Sequence, residues 1–190
     1  MPRKILVISG SPRKNGNTAA LVEWFAEGAR SKGAKIEIVH AAFLKYKAVG
    51  CTSCRLCQKR KEYECVINDG ASAVLKKMAN ADVIIFATPL YFYSASAQLK
   101  VIIDRMFALF KWDNAVDAFT TPLKGKTLAL IASAYEDIGL KAVEKPFALT
   151  AGYIGMKFRS LLVPNAGESG EIREKAGVRE KAIALGRNVA

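Results

Sequence analysis

Three short segments of the chain carry residues that could do chemistry. The first is Ser9-Gly10-Ser11-Pro12-Arg13-Lys14-Asn15-Gly16-Asn17-Thr18, set between an apolar run and a helical one. The start of a helix presents unpaired N–H groups and about half a positive charge, which suits a phosphate. The hydroxyls of Ser9, Ser11 and Thr18 and the amide of Asn17 can donate to phosphate oxygens, and Arg13 and Lys14 add charge. Gly10 and Gly16 permit close backbone approach and unusual φ values. The segment is neither of two familiar phosphate loops. Gly16 is followed by Asn17-Thr18 where a Walker loop needs Lys-Ser/Thr, and Gly10 and Gly16 are too far apart for Gly-x-Gly-x-x-Gly. An ordinary capped strand-to-helix turn uses the same residue types. Its place after the first strand favours the phosphate.

The second segment is Pro89-Leu90-Tyr91-Phe92-Tyr93-Ser94, after another apolar run. Three consecutive aromatics on a loop cannot all point into one core, so at least one is expected at the surface. A planar ring system could stack there. Packing inside the domain or at a subunit contact is the plainer use of any single ring.

The third segment holds every cysteine, Cys51-x2-Cys54-x2-Cys57-x7-Cys65. Two successive CxxC spacings with a nearby fourth thiol can supply four soft ligands from one loop, to a cubane iron–sulfur cluster or to zinc. Arg55, Lys59, Arg60 and Lys61 interleave with the thiols and would offset the charge of an anionic cluster. Four reduced thiols without metal is the competing reading.

The elements that must position these segments follow from hydrophobic periodicity. Strands are predicted at 4–9, 35–39, 82–88, 127–133 and 158–163, and helices at about 19–33, 71–79, 97–110, 141–154 and 171–189. Pro146 should start or kink the fourth helix, and Gly177 should weaken the last. A polar loop of about 41–69 carries the cysteines. Alternating strands and helices imply an α/β fold with a parallel sheet covered on both faces. Right-handed crossovers point to a flavodoxin-like, doubly wound, five-stranded sheet of order 2-1-3-4-5, forming a single domain over 1–190. In that order strands 1 and 3 flank the switch point, which puts the first two loops side by side.

Composition bounds the function. The chain has 190 residues, 51% hydrophobic and 24% charged, which is globular. No apolar run reaches the ~18 residues of a membrane helix, and the start lacks a signal-peptide pattern, so a soluble cytoplasmic protein is expected. Disulfides are an improbable use of cysteines there. The net charge is +12, of which residues 1–63 carry +9. That bias favours anionic partners. No zinc-finger, basic-zipper or RNP pattern accompanies it, so a bound small anion is expected and nucleic acid is not. His40, the sole histidine, sits at a strand end and is expected to be structural. Asp104 and Arg105 are expected on a helix or at a subunit contact.

Taken together, GSPRKNGNT at 10–18, CTSCRLCQKRKEYECVIND at 51–69 and ATPLYFYSASAQLKVIIDR at 87–105 resemble the NAD(P)H-dependent FMN reductase-like branch of the flavodoxin-like flavoproteins. More narrowly, they resemble the iron–sulfur flavoproteins. The resemblance covers essentially the whole chain. It implies non-covalent FMN, with Ser9, Ser11, Arg13, Asn17 and Thr18 at the phosphate and Pro89, Leu90, Tyr91, Phe92, Tyr93 and Ser94 beside the isoalloxazine. Ser133-Ala134-Tyr135-Glu136 would complete the pocket. It further implies a 4Fe–4S cluster on Cys51, Cys54, Cys57 and Cys65, although Ser53 stands where such loops often have glycine. NAD(P)H would be the co-substrate, and a quinone, flavin or other small-molecule or protein acceptor would take the electrons. A homodimer or homotetramer is implied. No acid–base residue is assigned, because the flavin carries the chemistry. The alternative is an iron–sulfur flavoprotein relaying electrons from a ferredoxin-like donor. A basic nucleic-acid-binding module is a distant third.

Overall fold

A computed structural model describes residues 1–113, 115–116 and 118–190. β1 (Lys4–Ser9), β2 (Lys35–His40), β3 (Val83–Pro89), β6 (Thr127–Ser133) and β7 (Lys157–Val163) form one sheet in the order β2-β1-β3-β6-β7. All four pairings are parallel. Among the sheet strands this is the expected 2-1-3-4-5 order. The intervening β4 (Lys111–Asp113) and β5 (Ala118–Thr120) pair only with each other, antiparallel.

Burial along the strands explains their composition. β3 and β6 sit centrally and are buried on both faces, so they are apolar except near their ends, at Thr88, Thr127 and Ser133. β2 and β7 lie at the edges, and most of their residues remain at least partly accessible. α1 (Asn17–Arg30) and α5 (Val178–Val189) cover one face, packing Leu21, Phe25 and Leu185 against Val7, Ile85 and Ile131. α2 (Gly70–Asn80), α3 (Ala97–Arg105) and α4 (Leu140–Ile154) cover the other, where Leu75, Leu99 and Phe147 meet Ile8, Phe86 and Leu130.

Three details depart from the periodicity reading. The third helix ends at Arg105 and continues as one tight turn over Met106–Leu109. Beyond it comes the β4–β5 hairpin, absent from the sequence reading, in which Phe119 packs against Phe110, Trp112 and Tyr153 of α4. Such short strands leave no period to detect. α4 begins at Leu140 and contains Pro146 in its interior, so the helix does not start at the proline. The expected break at Gly177 is present, because α5 begins at Val178 after a separate turn at Glu171–Glu174.

Candidate functional site

Both loops open at the carboxyl edge of the sheet, where strand order reverses. Gly10 and Ser96 stitch them together. The Gly10 N–H donates to the Ala87 carbonyl at 2.8 Å, and Ser96 Oγ donates to the Gly10 carbonyl at 2.8 Å. A β-carbon on Gly10 would fall 2.4 Å from Ser96 Oγ, so the glycine is there for close approach. Neither Gly10 nor Gly16 has positive φ, contrary to the expected use of unusual dihedrals.

Between the loops lies a cavity of about 150 Å³, lined by Ser11, Arg13, Thr18, Pro89, Tyr91 and Ser133 among others. Gly16 precedes α1 with no side-chain cap, so the first amides of the helix have no hydroxyl or carboxylate competing for them. Thr18 Oγ1 and Ser133 Oγ lie 3.3 Å apart, and Ser11 Oγ bonds the Arg13 backbone at 3.2 Å. Leu90, Tyr91, Ala134 and Tyr135 also line a neighbouring cleft of about 450 Å³, walled further by Phe92, Tyr93, Glu136 and Ile138.

The aromatic loop is a tight turn. Tyr91 and Ser94 exchange two backbone hydrogen bonds, and Phe92 and Tyr93 both have positive φ, +46° and +62°. That pattern is a type I′ turn, normally built from glycine and asparagine. Bulky residues there cost on the order of 1–3 kcal/mol each, and such strain collects at binding sites. Phe92 is also 100% exposed. Nothing in the packing of the domain accounts for it.

Not every expected residue reaches the cavity as expected. Ser9 is buried at the end of β1 and does not line it. Ser94 closes the turn and faces an apolar void of about 100 Å³ between α3 and α4 instead. Lys14 does not line the cavity either; its ammonium lies 5.2 Å from the Phe43 ring. The Asn17 amide is fully engaged. It donates to the Ala166 and Glu168 carbonyls at 2.8 Å and accepts from the Gly170 and Ile172 N–H groups at 3.0 and 3.3 Å. Asn17 can therefore offer a phosphate its backbone N–H, while its side chain fastens the segment after β7.

That segment is the wall the sequence reading missed. Ala166 and Gly167 line the cavity, and a β-carbon on Gly167 would sit 2.2 Å from the Tyr135 ring, so glycine lets the ring lie flat on the backbone. A Gly- and Asn-containing stretch after the last strand, at the ligand-binding edge, was the available signal.

The four cysteines converge on a second hollow, of about 20 Å³, which they line together with Gly50, Thr52, Arg55 and Arg105. All four are free thiols; Cys57 is buried, and Cys51 and Cys54 are exposed. Among the described residues no three Cys, His, Asp or Glu side chains are drawn together closely enough to grip a single metal ion. Ser53 and Arg55 have positive φ, +54° and +56°, so Ser53 takes the left-handed shape that glycine would take more cheaply. The backbone N–H of Leu56, with the Thr52 hydroxyl, holds the Cys54 thiol below its usual range.

Arg105 is the last residue of α3, on a helix as expected, and it is turned inward at 1% exposure. Its Nη1 meets Asp69 Oδ2 at 2.7 Å and its Nη2 donates to the Ile67 carbonyl at 2.8 Å. Asp69 also accepts from the Lys47, Ala71 and Ser72 N–H groups and so caps α2. Burial alone would raise the Asp69 carboxyl, but Arg105 and the backbone donors outweigh it and hold it below the ordinary range.

Known proteins resemble the chain in sequence and in fold. The family described as NADPH-dependent FMN reductase matches residues 3–165. An iron–sulfur flavoprotein of Methanocaldococcus jannaschii is 39% identical over 102 residues, which is 54% of this chain and 51% of that protein. The chain thus spans about half the length of such relatives. A putative NAD(P)H-dependent FMN-containing oxidoreductase of Bacillus subtilis is 25% identical over 171 residues, covering 89% of this chain and 88% of that one. Among solved structures, an NAD(P)H:quinone oxidoreductase from Methanothermobacter marburgensis superimposes with a TM-score of 0.73 at 15% identity, covering 99% of this chain and 97% of that one. An FMN-dependent NADH-azoreductase from Bacillus anthracis, in complex with FMN, gives 0.68 at 13% identity, with 99% and 100% covered. At these identities the structures share the fold.

Proposed function

The chain belongs to the NADPH-dependent FMN reductase family, and from that premise we propose that it is an FMN-dependent oxidoreductase taking electrons from NAD(P)H to a small acceptor. With a quinone the balance is NAD(P)H, a proton and quinone giving NAD(P)+ and quinol; a free flavin or a metal centre is the other acceptor class. The observation that carries the reading is that the two cavities are neighbours, sharing Leu90, Tyr91, Ala134 and Tyr135 in their walls. A compartment rimmed by Arg13, three hydroxyls and an uncapped helix start suits a phosphate, and the aromatic cleft beside it suits a flat ring. The residues present therefore fit FMN.

Bound FMN supplies hydride acceptance and electron release. The chain does the rest. Ser11, Thr18 and Ser133 would give hydroxyl donors to the phosphate, and Arg13 would give charge. Tyr91, Tyr93 and Tyr135, which wall the cleft, would border the ring. Phe92, fully exposed, offers a surface against which the nicotinamide or the acceptor can lie.

The test is a comparison of ligands. Apoprotein should bind FMN much more tightly than riboflavin, which lacks the phosphate, and the holoprotein should oxidise NADH or NADPH when quinone is added. Equal binding of the two flavins, or none, overturns the reading.

A second reading is favoured by the cysteine hollow. We propose that Cys51, Cys54, Cys57 and Cys65 hold a 4Fe–4S cluster. The donor set is right, and a cluster binds each thiolate to a different iron, so its ligands stand farther apart than around one ion. A buried arginine N–H without a partner also borders the hollow. Such a protein would relay electrons from a ferredoxin-like donor, and the basic first third would attract an acidic carrier. Iron and acid-labile sulfide in anaerobically prepared protein decide between cluster, zinc and bare thiols. We further propose a homodimer or homotetramer working in the cytoplasm. Exposed Leu149 and Tyr153 on α4, and Trp112 on the hairpin, supply an apolar surface for the subunit contact.

A further inference from the structure

We propose that Arg105 is a hydrogen-bond donor to sulfur in the four-cysteine hollow, and that Asp69 positions it there. The inference rests on the iron–sulfur reading above and assigns a role within it to a residue on α3, remote in sequence from every cysteine.

The guanidinium carries five N–H donors in a rigid fork and stays charged. One arm is spent on the Asp69 carboxylate and the other on the Ile67 carbonyl. Nε is left over. It is the single buried side-chain polar atom without a hydrogen-bond partner among the described residues. A buried charged N–H is costly to leave unpaired, so the fold implies an acceptor. Arg105 lines the hollow with all four cysteines, and Cys65 sits beside its guanidinium. Sulfur is the acceptor that this surrounding offers, as a thiolate or as a cluster sulfide.

Asp69 sets the direction. Its carboxylate takes four donors and is as buried as its partner, so the arginine fork cannot swing. Asp69 also balances the charge of Arg105. The effect on the hollow is therefore one N–H dipole aimed at sulfur, with little net charge. A donor to a cluster sulfur favours the more negatively charged, reduced state and raises its potential. Lysine would keep the charge and the ion pair with Asp69 yet lose the fork, so Arg105→Lys should behave as a loss.

The experiment uses full-length protein loaded anaerobically with ferrous iron and sulfide. Wild type labelled with 15N-arginine, reduced and observed by pulsed EPR, should show a nitrogen coupling to the cluster. The coupling should persist in Arg55→Lys, whose side chain is exposed at the rim of the hollow. It should vanish in Arg105→Lys, whose cluster should titrate at a more negative potential while FMN affinity stays within about twofold of wild type. A loaded wild type without the coupling overturns the inference, as does an Arg105→Lys cluster with unchanged potential. If wild type takes up no iron and sulfide, the cluster reading falls and this one with it. Should Arg105→Lys fail to fold, the labelled wild type and Arg55→Lys still decide.

Discussion

Thr18 Oγ1 and Ser133 Oγ lie 3.3 Å apart, although 115 residues separate them in the chain. One hydroxyl stands in the first turn of α1 and the other ends β6, so their meeting joins two strand-end loops in one pocket. Either can turn from its neighbour to an anion at little cost.

From that contact follows a selective defect. Ser133→Ala and Ser11→Ala should each weaken FMN binding by about tenfold or more, since a hydrogen bond to a charged group is worth about 1.5–3 kcal/mol. Riboflavin binding should hardly change. Fluorescence titration with both flavins measures the difference.

The strained turn predicts a trade between stability and binding. Phe92→Asn with Tyr93→Gly supplies the residues a type I′ turn prefers, and should stabilise the fold by about 1–2 kcal/mol. For a chain of this size that raises Tm by about 3–6 °C. FMN affinity or turnover should fall, because two walls of the cleft are gone. A variant that is neither more stable nor impaired contradicts the strain argument.

Asn17 predicts the opposite pattern. Asn17→Ala strips four hydrogen bonds from the segment 166–172 and should cost about 2–4 kcal/mol in urea unfolding. Asn17→Asp keeps the two acceptor bonds but sets a carboxylate against the Ala166 and Glu168 carbonyls, so it should not rescue. Proteolysis within 164–170 should quicken in both.

Asp69 predicts a dependence on acid. Its carboxyl titrates lower in the folded chain than in the unfolded one, whose value is about 3.9. Its stabilisation is therefore complete above the unfolded value and is lost as the pH falls through the lowered, folded one. Asp69→Asn should be less stable than wild type at pH 7, and the gap should close on acidification. Unfolding curves at a series of pH values would show it; a gap independent of pH would refute the assignment.

Local chemistry was readable along the chain. The five sheet strands, the helix after each loop, the hydroxyl-rich cradle at 10–18, the aromatic run at 91–93 and the cysteine spacing all announce themselves within a few residues, because strand period, helix period and CxxC spacing are short-range patterns. The sheet order followed from crossover handedness, and with it the adjacency of the first two loops. The hairpin at 111–120 did not follow, because three-residue strands have no period.

What the sequence determined by itself is the sheet strands, the helices between them and the edge of the sheet at which the first two loops open. Tertiary structure alone decided which atoms meet there: that Asn17 serves the loop after β7, that Gly167 makes room for Tyr135, and that Arg105 turns inward to Asp69 and the cysteines. These contacts span 149, 32 and 36 residues, distances over which no local periodicity operates. Packing at the sheet edge, where each buried polar group must find a partner, is what selects them.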